Sequence, residues 1–401
     1  MVMKIDTQIN KNTPLLTVIV LCYKNRNLLN GMLNSILNQT YSNIQLIVSD
    51  DGSDDFDVEE VREYILTNAK DNIKDVIVRK NPQNLKTVKH FHSILPLANG
   101  EYIIFTAADD RFQNDGVFTR YVELFSKYKD KLWLVASCNM ISPDYKRSIY
   151  ITPTKEDRPY FVNGNANALY SRWSRRGMAI PCSMAFRKKA FDVVGGIDLD
   201  YIYLEDWPLV LKLLRNGYAP IYMSDISALH SVGGVTNSNQ RYGVEVRKRF
   251  FDDKELVYQK EVKPYLHLLS KEDLECLKLY RHEINKRNYF LHIDWQVASI
   301  FRKLVYMLNP QYFLWLLEAA FNRYEKYLRK PIMLMISQCC LVASGLLLDI
   351  DTSIYYFNIV FKAFGYLHFI VSIVLVLMVL FLIPFCRYVY SKRALRKMLV
   401  N

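Results

Sequence analysis

Glu101-Tyr102-Ile103-Ile104-Phe105-Thr106-Ala107-Ala108-Asp109-Asp110 is the stretch on which the reading of this chain turns. A short β-rich apolar run ends abruptly in two adjacent carboxylates. Like charges side by side raise the cost of ionising each other. Two readings explain them. A hard divalent cation takes such oxygen ligands, and a turn or helix N-cap also favours Asp.

Upstream, the same pattern repeats. Leu15–Tyr23 is an apolar β-rich run, and Leu28, Leu29, Met32, Leu33, Ile36 and Leu37 then fall on one helical stripe. A strand is expected at Ile44–Ser49, a charged helix at Val58–Ala69 and a strand at Val76–Arg79. A helix over Val88–Leu95, the strand Tyr102–Thr106, a helix over Val117–Lys127 and a strand at Trp133–Ser137 complete the series. Strands alternating with helices predict an α/β fold with a parallel sheet covered on both faces. In open sheets of this kind ligands sit beyond the carboxyl ends of the strands. Those ends carry Cys22-Tyr23-Lys24-Asn25-Arg26, Asp50-Asp51-Gly52-Ser53 and Asp109-Asp110. No G-x-G-x-x-G follows the first strand and no Walker lysine loop is present, which argues against a dinucleotide oxidoreductase and a P-loop ATPase.

Downstream, residues 140–250 are broken by Pro153, Pro159, Gly164, Gly177 and Pro181 into loops and short strands. A helix is expected from near Glu205 to Gly217. From about Phe250 to Leu328 the pattern is helical, charged and aromatic.

The chain has 401 residues and a net charge of +12, which points to an anionic partner. The seven cysteines form no C-x-x-C pair and their number is odd, so reduced thiols and no structural zinc are expected. Met1–Pro14 is polar without an apolar h-region, unlike a signal peptide. Leu367–Phe385 is apolar and long enough to span a bilayer, and Arg387, Lys392, Arg393, Arg396 and Lys397 follow it. Ile332–Leu348, preceded by Arg323, Lys326, Arg329 and Lys330, is either a second span closing a hairpin or an interfacial helix. Trp295–Tyr327 reads as a helix on an anionic membrane surface or as a packed linker. No nucleic-acid motif accompanies the charge, so nucleic acid is not expected as a partner. The expected organisation is a polar tail over 1–14, a catalytic domain over 15–250, a helical linker over 251–330, a membrane hairpin over 331–390 and a basic cytoplasmic tail over 391–401. Oligomeric state is left open.

The order of these motifs resembles the family 2 glycosyltransferases, which have the GT-A fold. The likeness runs from about Thr17 to Thr236. Thr17–Arg26 is similar to their first strand and nucleotide-contacting turn, and Leu46-Ile47-Val48-Ser49-Asp50-Asp51-Gly52-Ser53 to their D-D-G-S element. Gly100–Phe105 followed by Asp109-Asp110 resembles the strand before their D-x-D metal motif. Gly195-Gly196-Ile197-Asp198 followed by Glu205-Asp206-Trp207 resembles the segment carrying their catalytic base. The chain departs from the family in two places. Ala107 stands where the first Asp of D-x-D is usual, and Asn84-Leu85-Lys86 replaces Asn-x-Gly.

The resemblance implies an inverting transferase that uses a nucleoside-diphosphate sugar, a UDP-sugar by preference. Tyr23 would stack near the base, and Asp51, supported by Asp50, would accept from the base or ribose. Asn84 and Lys86 would lie near the phosphates. Mg²⁺ or Mn²⁺ would sit on Asp109, with Asp110 as an extra neighbour and His230 touching the metal or phosphates. Asp206 would be the general base and Glu205 would orient the loop or acceptor. The other readings are an ordinary turn for Asp50-Asp51-Gly52, helix N-terminal charge for Glu205-Asp206, and a hydrogen-bonded structural residue for His230. Loops in 140–180, including Trp173, Arg175 and Arg176, are expected to shape the acceptor site. With the membrane segments, this implies transfer to a lipid-linked or cell-surface glycan precursor on the cytoplasmic face of the cell membrane. The alternatives are a non-catalytic nucleotide-sugar-binding scaffold and a processive polysaccharide synthase, although no Q-x-x-R-W signature is present.

Overall fold

The structure, a computed structural model, describes residues 3–4, 13–232, 244–278 and 280–281. The chain divides into two units, Met1–Ile293 and Asp294–Asn401. The expected segments 332–348, 367–385 and Trp295–Tyr327 lie outside the described residues. Among the described residues no helix is long and apolar enough to cross a membrane.

One ten-stranded sheet organises the first unit. Its strands are β1 (Met3–Lys4), β2 (Leu16–Cys22), β3 (Ile44–Asp50), β4 (Ile73–Lys80), β5 (Tyr102–Ala107), β6 (Asp110–Phe112), β7 (Trp133–Ile141), β8 (Ser148–Thr152), β9 (Met184–Arg187) and β10 (Ile221–Ser231). The order is β1-β4-β3-β2-β5-β9-β7-β10-β6, with β8 paired to β7. The block β4-β3-β2-β5 is parallel, as the alternating sequence predicts. The sheet as a whole is not parallel but mixed. Four-residue β9 lies antiparallel between β5 and β7, so the strand at Trp133 does not neighbour the one at Tyr102. β10 is parallel to β7, and β6 is antiparallel to β10.

The buried runs of β2 and β3 carry apolar side chains on both faces, and each face is covered by helices. On one face pack α1 (Arg26–Leu37), α2 (Val58–Asn68) and α4 (Val117–Lys127), burying Leu29, Met32, Ile36, Val61 and Phe125. Asp57 caps α2 by accepting from the backbone N–H groups of Glu59 and Glu60. On the other face lie α3 (Thr87–Ile94), α5 (Arg158–Asn163), α6 (Ala166–Trp173), α7 (Lys189–Val193) and α8 (Asp206–Arg215), burying Phe91, Phe161, Trp173, Phe191 and Leu213. Phe186 of β9 joins this core, stacked on Phe105 at 5.7 Å and on Trp133 at 6.2 Å.

Packing does not stop at residue 250, where the sequence suggested a linker. α9 (Val244–Val257) runs across that boundary, and Val257, Val262, Leu269 and Leu277 belong to the same core as α8. The apolar residues of 251–278 are spaced for burial against the sheet domain. Met3–Lys4, read as part of a polar tail, pairs antiparallel with β4.

Candidate active site

A cleft of about 660 Å³ opens at the carboxyl ends of β2, β3 and β5. Tyr23, Asp51, Asn84, Lys86 and Asp109 line it, as do Asp110, His230, Glu205 and Asp206. These residues lie up to 207 positions apart in sequence, since the numbers run from 23 to 230.

The wall nearest β2 and β3 is a set of locked turns. Asn25 Oδ1 accepts from the Tyr23 N–H at 3.1 Å, and the Lys24 N–H donates to Ser53 Oγ at 2.7 Å. Asp50 does not line the cleft. It is fully buried and accepts from the Ser53 N–H at 2.6 Å and Ser53 Oγ at 2.7 Å, so its contribution is to fix the turn. Gly52 sits at φ +83°, and a Cβ there would lie 2.9 Å from the Gln83 carbonyl carbon. Only glycine fits that approach. Asp51 holds the next loop. Its Oδ1 accepts from Asn81 Nδ2 and the Leu85 N–H, and its Oδ2 from the Lys86 N–H, each at 2.9 Å. Burial raises the Asp51 carboxyl's pKa, against the pull of these hydrogen bonds and the Lys86 charge. A carboxylate has about four acceptor positions, so one is left to face the cleft. The clamp keeps Lys86 at φ 68°, an unfavourable conformation for a side-chain-bearing residue, and thereby starts α3 at the cleft edge.

The floor is where β6 meets β10. The pairing places His230 opposite Asp110. Asp110 Oδ2 accepts from Thr106 Oγ1 at 2.9 Å and the Ala107 N–H at 3.0 Å, and Oδ1 lies 2.7 Å from His230 Nδ1. Burial works against protonation of His230, but the charge and hydrogen bond of Asp110 raise its pKa to about 9. Cys182 joins them: one ligand atom each from Asp110, Cys182 and His230 lie within 4.8 Å of one another. Carboxylate oxygen, imidazole nitrogen and thiol sulfur, with Asp109 on the same cleft, make a donor set that fits a divalent cation. The nitrogen and sulfur suit Mn²⁺ or a softer ion better than Mg²⁺.

Asp109 is partly exposed and held through its backbone. Its carbonyl accepts from the Tyr145 hydroxyl at 2.6 Å, and the Arg111 guanidinium lies 3.9 Å from the centre of the Tyr145 ring. That guanidinium fills the space beside Gly31 of α1, where a Cβ would fall 2.5 Å from Arg111 Nη2.

Glu205 and Asp206, at the start of α8, also line the cleft. Trp207 fixes this end of the helix by donating from Nε1 to the Trp173 carbonyl at 2.8 Å. Both carboxylates touch the cleft, yet surrounding protein is close enough that burial raises both pKa values. Asp206 reaches about 6, and the Asp206 charge adds to the rise at Glu205.

Several expectations for 140–180 change. Trp173 is buried in the core, Arg176 pairs with fully buried Asp157 at 2.7 Å, and Arg175 pairs with Asp273 at 3.6 Å. None of the three lines the cleft, whereas Gly177, Ile180 and Pro181 do. Sequence reading also missed His90 and Cys182. His90 Nε2 lies 2.7 Å from Ser49 Oγ, and burial, with Arg79, lowers its pKa to about 4. No motif marks either residue, since tertiary contacts alone bring His90 to the cleft and Cys182 to Asp110 and His230. Cys22, Cys138, Cys182 and Cys276 are free thiols.

Residues 17–195 match the profile of glycosyl transferase family 2, and this segment is a family 2 glycosyltransferase domain of GT-A type. Two relatives are uncharacterized glycosyltransferases. One, from Haemophilus influenzae, is 38% identical over 104 residues, covering 26% of this chain and 40% of that protein. The other, from Rickettsia felis, is 25% identical over 278 residues, covering 67% of this chain and 44% of that protein. The chain thus spans less than half the length of either relative. Among solved structures, S. aureus TarS 1–349 in complex with UDP-GlcNAc is similar at 16% identity and a TM-score of 0.46, over 74% of this chain and 78% of that one.

Proposed function

We propose that this chain is an inverting glycosyltransferase that moves a sugar from a nucleoside diphosphate to an acceptor hydroxyl. The observation that carries the reading is one cleft, within and beside a family 2 domain, lined together by Asp51, Asp109 and Glu205-Asp206. On this reading the nucleoside lies against Tyr23 and the remaining acceptor position of Asp51. Lys24 and Lys86 line the same cleft and bring positive charge towards the diphosphate. A divalent cation held by Asp109, Asp110 and His230 would supply Lewis-acid stabilisation of the leaving diphosphate.

Asp206 is the general base. A carboxylate with an ordinary pKa near 4 is a weak base at neutral pH, and the rise to about 6 brings it closer to the working range. Asp206 takes the acceptor's hydroxyl proton as the oxygen attacks the anomeric carbon and the diphosphate departs from the opposite face. The carbon's configuration inverts. Glu205 orients the acceptor or the loop beside it. We place the reaction at the cytoplasmic face of a membrane, with a lipid-linked or glycan acceptor, on the strength of the apolar runs 332–348 and 367–385 and their basic flanks.

Ala107 in place of an aspartate favours a second reading, a scaffold that binds nucleotide sugars without transferring them. Membranes carrying the full chain, incubated with radiolabelled UDP- and GDP-sugars, separate the two. Label entering lipid or polymer supports the transferase. Donor binding without label transfer overturns it in favour of the scaffold.

A further inference from the structure

Asp253 has no place in the chemistry above, yet it is a buried carboxylate aimed at the backbone just before the base. It lies on α9, is 3% exposed, and among the described residues accepts only from main-chain N–H groups in one short segment. The Ile202 N–H reaches Oδ1 at 3.1 Å and Oδ2 at 2.9 Å. The Tyr203 and Leu204 N–H groups reach Oδ2 at 2.6 and 3.2 Å. Three consecutive donors thus converge on one carboxylate, and the next residues in the chain are Glu205 and Asp206. The other side of the segment is also held, because the Ile202 carbonyl accepts from the Val88 N–H of α3 at 3.1 Å. α3 is the helix whose start Asp51 fixes through Lys86.

A surface loop of this length ordinarily leaves its amides to water. Here a buried charge satisfies them, which is costly unless every acceptor position finds a partner. α9 also meets the cleft directly, since Phe250 and Lys254 line it alongside Tyr203 and Asp206. The helix that grips the segment is therefore a wall of the same cleft.

We propose that Asp253 is a positioning residue: by binding the amides of Ile202, Tyr203 and Leu204 it fixes the distance of the Asp206 carboxylate from the acceptor hydroxyl. The proposal rests on the assignment of Asp206 as base. A shift of about 1 Å in a reacting group can lower turnover by about a hundredfold, and this segment has no helical or strand hydrogen bonding of its own to prevent it.

Asp253→Asn in the full chain tests this. The substitution keeps the shape but turns one acceptor into an NH₂ group facing N–H donors. Hydrogen–deuterium exchange should speed up at 202–204 while the core strands keep their protection. Turnover, read as nucleoside diphosphate released from UDP- and GDP-sugars, should fall about ten- to a hundredfold, with donor KM changed by less than about twofold. Asp253→Glu, which keeps the carboxylate, should recover part of the loss. Equal losses in turnover and donor binding would overturn the proposal, as would unchanged exchange at 202–204. If Asp253→Asn fails to fold, the wild-type protein still decides: unprotected amides at 202–204 overturn the proposal. If the wild-type chain releases no nucleotide from any donor, the functional reading fails, and exchange alone then tests the grip on the segment.

Discussion

Asp206 shows how one carboxylate can be tuned by position. Burial raises its pKa to about 6, and the base must be ionised to act, so turnover should fall about tenfold per pH unit below that value and level off above it. A pH–rate profile of the full chain checks the limb. Asp206→Asn should lower turnover by about 10²–10⁴-fold with donor binding nearly intact, measured by nucleotide release and by donor titration. The stability effect has the opposite sign. A carboxyl whose folded pKa lies above its unfolded value stabilises the fold fully at low pH and loses that contribution as pH rises through about 6. At pH 7 Asp206→Asn should therefore melt at the same temperature as wild type or higher. Sequence motifs located this residue and its neighbours at the strand ends. They did not show Asp110 bound to His230 or Asp50 turned into its own loop, because both depend on hydrogen bonds formed only after the chain has folded.

At the scale of elements, the sequence was legible wherever a periodicity ran long enough. All seven residues of β3 and six of the seven of β2 are buried, and α4 has five buried side chains on one stripe. β9 has only four residues, too few for an alternation to register, and three-residue β6 is hidden in the polar run after Asp109. β10 carries Ser224, Asp225 and Ser227 and breaks register with β7, which masks its strand character. Short β9 nevertheless joins the parallel block to the β7–β10 pair, and Phe186 is its fully buried anchor between Phe105 and Trp133. Phe186→Ala should cost about 3–5 kcal/mol, read from chemical denaturation. A loss under 1 kcal/mol would show that the junction is held elsewhere.

For the molecule as a whole, the two units imply different results on truncation. A chain ending at 250 loses Asp253 and the core residues Val257, Val262, Leu269 and Leu277. It should aggregate or unfold, while a chain ending at 293 should melt cooperatively; size-exclusion chromatography and thermal unfolding distinguish them. If 332–348 and 367–385 anchor the protein, the shorter chain should also leave the membrane fraction. The position of a domain edge was not readable from composition, because the amphipathic pattern past 250 looks the same whether it covers a core or lies on a bilayer.

Gly31 bears on anyone seeking a hardier version of this protein. A glycine inside a helix is an obvious choice for replacement by alanine, a change worth about 1 kcal/mol in an open position. Here the missing methyl is the berth of the Arg111 guanidinium, which lies against Tyr145, whose hydroxyl holds the Asp109 carbonyl. Gly31→Ala would evict the guanidinium and slacken that chain of contacts, so any gain from helix propensity is offset and nucleotide-sugar affinity should weaken. Helix propensity alone is therefore the wrong guide at this position.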